Sequence, residues 1–144
     1  MRRILPVLAV LVASVFFASA PHAAAAAKKH HILLQWTEVD TVGQWAMTKH
    51  VGNLLDDLGP DNVQLEVIAY GAATFAVTTG RPQNLQAQAI ADLSKRGVVF
   101  HVCHHAMDLL GVKEAELQPT VTPVKGAMWY ITQKYNEGWQ ILRP

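Results

Sequence analysis

The chain has 144 residues, 51% of them hydrophobic, with a formal net charge of +1 and a single cysteine. Its lysines and arginines are few and scattered, which excludes a nucleic-acid surface built on a basic patch. One cysteine excludes an internal disulfide framework, so Cys103 is left to pair with another chain, to pack inertly, or to do chemistry.

Residues 1–27 read as a secretory signal. Met1-Arg2-Arg3 supplies a positive start, Ile4 to Ala18 is an apolar run short of comfortable bilayer-spanning length, and small residues follow. Pro21 disfavours cleavage after Ala20, so the cut is expected after Ala25 or Ala27. Removing 27 residues leaves 117, one ordinary domain over residues 28–144 with room for a single core. Loss of Arg2 and Arg3 takes the charge to −1. The expected location is periplasmic or secreted. No second apolar stretch reaches spanning length, so no membrane contact is expected after cleavage.

The remaining chain alternates strand and helix. Ile32 to Trp36 is a nearly continuous apolar run, suited to a strand covered on both faces. Asp40 or Thr41 offers a helix N-cap. Met47, Val51, Leu54, Leu55 and Leu58 then recur at helical spacing until Gly59-Pro60. Val63 to Tyr70 is a second strand, ended by Gly71 and followed by a loop to Pro82. Asn84 is predicted to cap a second helix with Leu85, Ala89 and Leu93 on its inner face, ending at Gly97.

Val98 to Cys103 is the third strand, and His104 to Leu110 a short helix closed by Gly111. One more turn is expected over 113–117. Thr120 to Val124 is a strand that tolerates Pro123 only near an edge or end. Ala127, Met128, Ile131 and Tyr135 share one face of a last helix, with Trp129 turned away as a candidate interface anchor. Gly138 stops this helix before a closing strand at 139–142. Such alternation predicts a three-layer α/β/α fold with an open, mainly parallel sheet of five strands.

In parallel sheets, ligands sit beyond the carboxyl ends of the strands. Cys103 stands at one of those ends and opens a helix. Backbone N–H groups and the positive end of a helix dipole favour a thiolate. His104 and His105 are placed to tune it. Trp36 and Thr37 end the first strand, Tyr70 and Gly71 the second, and all four are candidates to line the same crevice. A weaker alternative is a copper or zinc site drawn from His101, Cys103 and His104, since thiolate and imidazole suit both metals. Its spacing is poor, because His104 and His105 start a helix about 100° apart. Glu66 lies on an otherwise apolar strand and must be paired, hydrogen-bonded or at a sheet edge.

The phrase Gly97-Val98-Val99-Phe100-His101-Val102-Cys103, with Met107 four residues on, resembles the DsrE/DsrF-like family. Asn53-Leu54-Leu55 with Leu58-Gly59, Glu66 to Gly71, Leu117-Gln118-Pro119 and Gly138 to Pro144 are similar to the same family in order and spacing. The resemblance covers roughly residues 31–144 and its small exported members. It implies an open five-stranded parallel sheet between helices, and a homo-oligomer. It also implies sulfur relay as a cysteine persulfide, the carrier cysteine falling where Cys103 stands. A donor or acceptor protein would be the partner, and no cofactor is expected. Where exported relatives often follow this cysteine with Asn-Thr, this chain has His104-His105-Ala106. The alternatives are a non-catalytic oligomeric binding module, the Cys/His metal protein, or a reversibly oxidised thiol.

Overall fold

The computed structural model describes residues 29–144. The expected signal segment, residues 1–27, lies outside the described residues. Five strands, β1 (His30–Trp36), β2 (Val63–Ala69), β3 (Val99–Cys103), β4 (Val121–Val124) and β5 (Gln140–Leu142), form one sheet in the order β4-β3-β2-β1-β5. Every neighbouring pair is parallel. The helices are α1 (Thr41–Leu58), α2 (Ala87–Lys95), α3 (His104–Leu110) and α4 (Ala127–Asn136). Two 3₁₀ segments, Gly71–Val77 and Glu114–Glu116, occupy the connections after β2 and α3. Among the described residues no helix is long and apolar enough to cross a membrane.

The strand order dictates which face each helix covers. From β1 to β4 the chain steps in one direction across the sheet, so right-handed crossovers bring successive connections to one face. The step from β4 to β5 runs back across the whole sheet, and the same handedness sends α4 to the opposite face. Packing follows this rule. Met47, Val51 and Leu55 of α1, Ile90 and Leu93 of α2 and Met107 of α3 share a core with Ile32, Leu34, Trp36, Leu65, Val67, Phe100 and Val102. On the other face Ala127, with Tyr130 and Ile131, packs on Leu33, Ile68, Cys103 and Trp139. Apolar residues of both parities along β1 and β2 are therefore buried, which explains their unbroken hydrophobic runs.

Asp40 caps α1 as expected, accepting from the N–H groups of Val42 and Gly43 at 3.1 and 3.0 Å. Two local expectations are corrected. Asn84 does not cap α2; its amide donates to the Thr78 carbonyl at 2.7 Å, and the helix starts later, turning Ile90 and Leu93 inward while Leu85 stays exposed. On α4, Met128 and Tyr135 are exposed, and the inward face is Ala127, Tyr130, Ile131 and Lys134. That stripe keeps helical spacing, but it includes a tyrosine and a lysine because Glu66 waits for them on the sheet.

Candidate functional site

Cys103 pairs with Val124 in the sheet register, so β3 and β4 end side by side. Beyond that point the chain leaves β3 into α3 and leaves β4 into α4, which returns over the opposite face. The two departures open a crevice at the carboxyl ends of the strands, as expected where neighbouring connections diverge. A pocket of about 550 Å³ fills it, lined by Tyr70, Gly71, Cys103, His105, Ala106, Leu109, Gly126, Ala127, Met128 and Trp129. Another cavity, of about 380 Å³, lies at the far edge between α1 and the C-terminus; its lining of Leu34, His50, Asn53, Leu54, Asp57, Leu142, Arg143 and Pro144 holds no thiol.

Cys103 is a buried residue, 7% exposed, that still contributes to the pocket wall. Its side chain caps nothing in α3. Instead its Sγ accepts the backbone N–H of Ala127 at 3.3 Å. The donor is thus the first residue of α4, an orphan N–H at the positive end of that helix. The sequence placed the helix that Cys103 itself opens beneath the thiol; the fold supplies a donor from a helix 24 residues further on. Gly126 makes the approach close: a Cβ there would sit 3.1 Å from His105 Nδ1, so the imidazole lies directly against the glycine backbone.

The other sequence candidates separate. Tyr70, Gly71 and His105 join Cys103 around the pocket. Tyr70 is held by its hydroxyl, which donates to Gln35 Oε1 at 2.8 Å. His104 turns outward, its Nδ1 3.1 Å from Asp108 Oδ2 and its Nε2 3.8 Å from Glu114 Oε1. Trp36 is wholly buried in the main core, its indole N–H donating to the Glu38 carbonyl at 2.8 Å. Thr37 hydrogen-bonds Glu38 at 2.7 Å and accepts from Arg143 at 3.2 Å. Neither Trp36, Thr37 nor His104 lines the pocket. Leu109, Met128, Trp129 and the Gly126-Ala127 pair do, and sequence reasoning missed them as site residues. The available signal was the small pair Gly126-Ala127 just after an edge strand in register with Cys103.

The metal alternative fails on geometry. Among the described residues no three His, Cys, Asp or Glu side chains gather to hold a metal ion. His101 shares a sheet face with Cys103 but is committed elsewhere, and His104 faces Asp108.

His101 belongs to a buried polar network centred on Glu66. Tyr130 Oη donates to Glu66 Oε2, and Lys134 Nζ donates to Glu66 Oε1 at 2.8 Å. With its proton on Glu66, the phenol oxygen accepts from His101 Nε2, 2.9 Å away, and the same nitrogen lies 3.4 Å from Glu66 Oε2. His101 Nδ1 lies 3.1 Å from the Thr122 hydroxyl, which also reaches the Phe100 carbonyl at 3.5 Å. Lys134 also lies 3.9 Å from the Trp139 ring centroid. Burial alone would raise the Glu66 carboxyl, but hydrogen bonds from His101, Lys134 and Tyr130 and the lysine charge outweigh it, bringing the pKa from 4.5 to about 2. Burial, reinforced by Glu66, pushes the Tyr130 phenol far above its ordinary range. The network ties the second and third turns of α4 to β2 and β3, and so fixes the helix whose first N–H meets the sulfur.

Fold and site together define an open parallel α/β protein with one thiol at a strand end. The DsrE/DsrF-like family profile matches residues 13–144, and the chain belongs to that family, which is associated with sulfur relay. Solved structures agree in fold. A protein of unknown function, MTH1491 from Methanobacterium thermoautotrophicum, aligns with a TM-score of 0.74 at 23% identity, over 81% of this chain and 100% of that one. The ychN protein from E. coli aligns at 0.61 and 15% identity, over 81% and 99%. BT1422 from Bacteroides thetaiotaomicron, also of unknown function, aligns at 0.62 and 16%, over 79% and 94%. A curated relative, a probable endonuclease 4 from Lysinibacillus sphaericus (strain C3-41), is 45% identical over 42 residues, 29% of this chain. The chain spans only 14% of that protein.

Proposed function

We propose that this protein carries sulfane sulfur as a persulfide on Cys103 and passes it to an acceptor protein. The observation that carries this reading is the contact between Cys103 Sγ and the Ala127 N–H inside a pocket at the carboxyl end of the sheet. Membership of a family associated with sulfur relay supports it.

The transfer balances without an added oxidant. The Cys103 sulfur attacks the outer sulfur of a donor RSSH. The donor S–S bond breaks and its electron pair leaves with RS⁻, while a new S–S bond joins Sγ to the transferred atom. The proton released from Cys103 ends on the departing thiolate, so thiol plus RSSH becomes Cys103 persulfide plus RSH. The Ala127 N–H, already directed at sulfur, steadies negative charge there. His105, exposed at the pocket wall, is a lining side chain able to give or take that proton.

In this reading the protein works outside the cytoplasm, in the periplasm or secreted, after losing residues 1–27. It also works as a homo-oligomer. The test of the central claim is the intact mass of purified protein after exposure to a sulfane-sulfur donor, beside Cys103→Ser. A gain of one sulfur, removed by reductant and absent in the variant, is the expected result. No gain from any donor refutes the carrier role. N-terminal sequencing of exported protein and sedimentation at micromolar concentration test the other two claims.

A further inference from the structure

The pocket over Cys103 has a chemistry of its own. None of its lining residues is Asp, Glu, Lys or Arg. Its exposed apolar residues are Leu109, Met128 and Trp129, at 86%, 60% and 53% exposure. Three large hydrophobic side chains left in water around one opening mark an interaction site, and here they rim a pocket that holds a thiol. The volume of about 550 Å³ is that of a small-molecule pocket. A compact anionic donor such as thiosulfate would shed water there and find no lysine or arginine among the lining residues. An aryl or alkyl group would cover Trp129, Met128 and Leu109 while its terminal sulfur points at Cys103.

Resting on the carrier reading above, we propose that the donor is a small organic persulfide whose carbon group is apolar and uncharged. The sulfur balance is the one already written, with the apolar thiol RSH as the leaving product. The pocket selects by what its walls lack: the anion exchanges its hydration for little more than the Ala127 N–H, with no lysine or arginine beside it, while the hydrocarbon group gains burial.

Two arms test this on the purified protein. In the first, Cys103 reacts with dithiodipyridine, a neutral aromatic disulfide, and with dithionitrobenzoate, its doubly anionic counterpart. Each rate is normalised to that of a free cysteine derivative. The expected outcome is a preference for the neutral probe of roughly tenfold, the size expected from burying part of one ring. Leu109→Lys, at a position exposed enough to leave folding intact, should shift that preference toward the anion. A ratio near one in the unmodified protein, or no response to Leu109→Lys, overturns the inference.

The second arm compares sulfur gain by intact mass from benzyl persulfide and from thiosulfate. Faster gain from the benzyl donor supports the inference. Equal gain from both overturns it while leaving the carrier role standing. A neutral-probe preference without sulfur gain from any donor overturns the carrier role and the donor class with it. Labelling by both probes that accelerates on dilution, in step with dissociation of an oligomer, identifies a second copy as the occupant and also overturns the inference.

Discussion

Glu66→Gln tests the network that anchors α4. The Glu66 carboxyl titrates at about 2 in the fold against an ordinary 4.5. A folded-state pKa below the unfolded one means that the unfolded chain binds the proton first as pH falls. The stabilisation is therefore complete above about 4.5, drains away as pH drops toward about 2, and is absent below that. At about 1.4 kcal/mol per pH unit, the span corresponds to about 3 kcal/mol at neutral pH. Glutamine keeps the volume and one acceptor for Tyr130, but leaves the Lys134 ammonium without its carboxylate. Removing one partner of a buried pair costs about 3–5 kcal/mol. Lys134 retains the Trp139 ring at 3.9 Å and the Tyr130 ring at 5.2 Å, which favours the lower figure. Urea unfolding followed by tryptophan fluorescence, repeated between about pH 7 and pH 2.5, reads both quantities. The expected gap between parent and variant is about 3 kcal/mol at pH 7 and under about 1 kcal/mol at pH 2.5. A gap that stays constant down the pH series, or is missing at pH 7, refutes the assignment of Glu66 as a buried, paired carboxylate.

Gly126→Ala should leave stability within about 1 kcal/mol, since φ there is −162° and the atoms nearest the new Cβ belong to the exposed His105 ring. The same Cβ displaces that ring, so alkylation of Cys103 should change severalfold; an unchanged rate would separate His105 from the pocket's reactivity. Asp40→Ala removes the acceptor for two N–H groups of α1 and should cost about 1 kcal/mol by urea unfolding; a cost near zero would contradict the cap. Gly111→Ala meets no atom within 4 Å, so its expected cost of about 1 kcal/mol is purely that of a left-handed conformation at φ +65°. Thermal unfolding measures it, and a stabilised variant would refute the backbone argument.

Much of the architecture was legible in order. Unbroken apolar runs such as Ile32–Trp36 announced strands covered twice, and Asp40, Gly59 and Gly111 marked helix ends. These signals are local: a cap, a positive-φ glycine or a hydrophobic period acts within a few residues of itself. From them follow the alternation, the parallel sheet and the placing of Cys103 at a strand end. The departures at α2 and α4 arose where a distant group overruled the period. Asn84 found the Thr78 carbonyl, and Lys134 and Tyr130 found Glu66.

What only the tertiary structure decided is which groups meet. Strand order brought β4 beside β3, and the return crossover swung α4 onto the opposite face, so Ala127 rather than His104 presents its N–H to the sulfur. It also kept Trp36 and Thr37 away from that sulfur while bringing in Trp129, Met128 and Leu109. Residue type and spacing carry information along the chain, but proximity across a sheet depends on register and crossover direction. Those are set by the joint burial of all the strands and helices, and no short segment contains them.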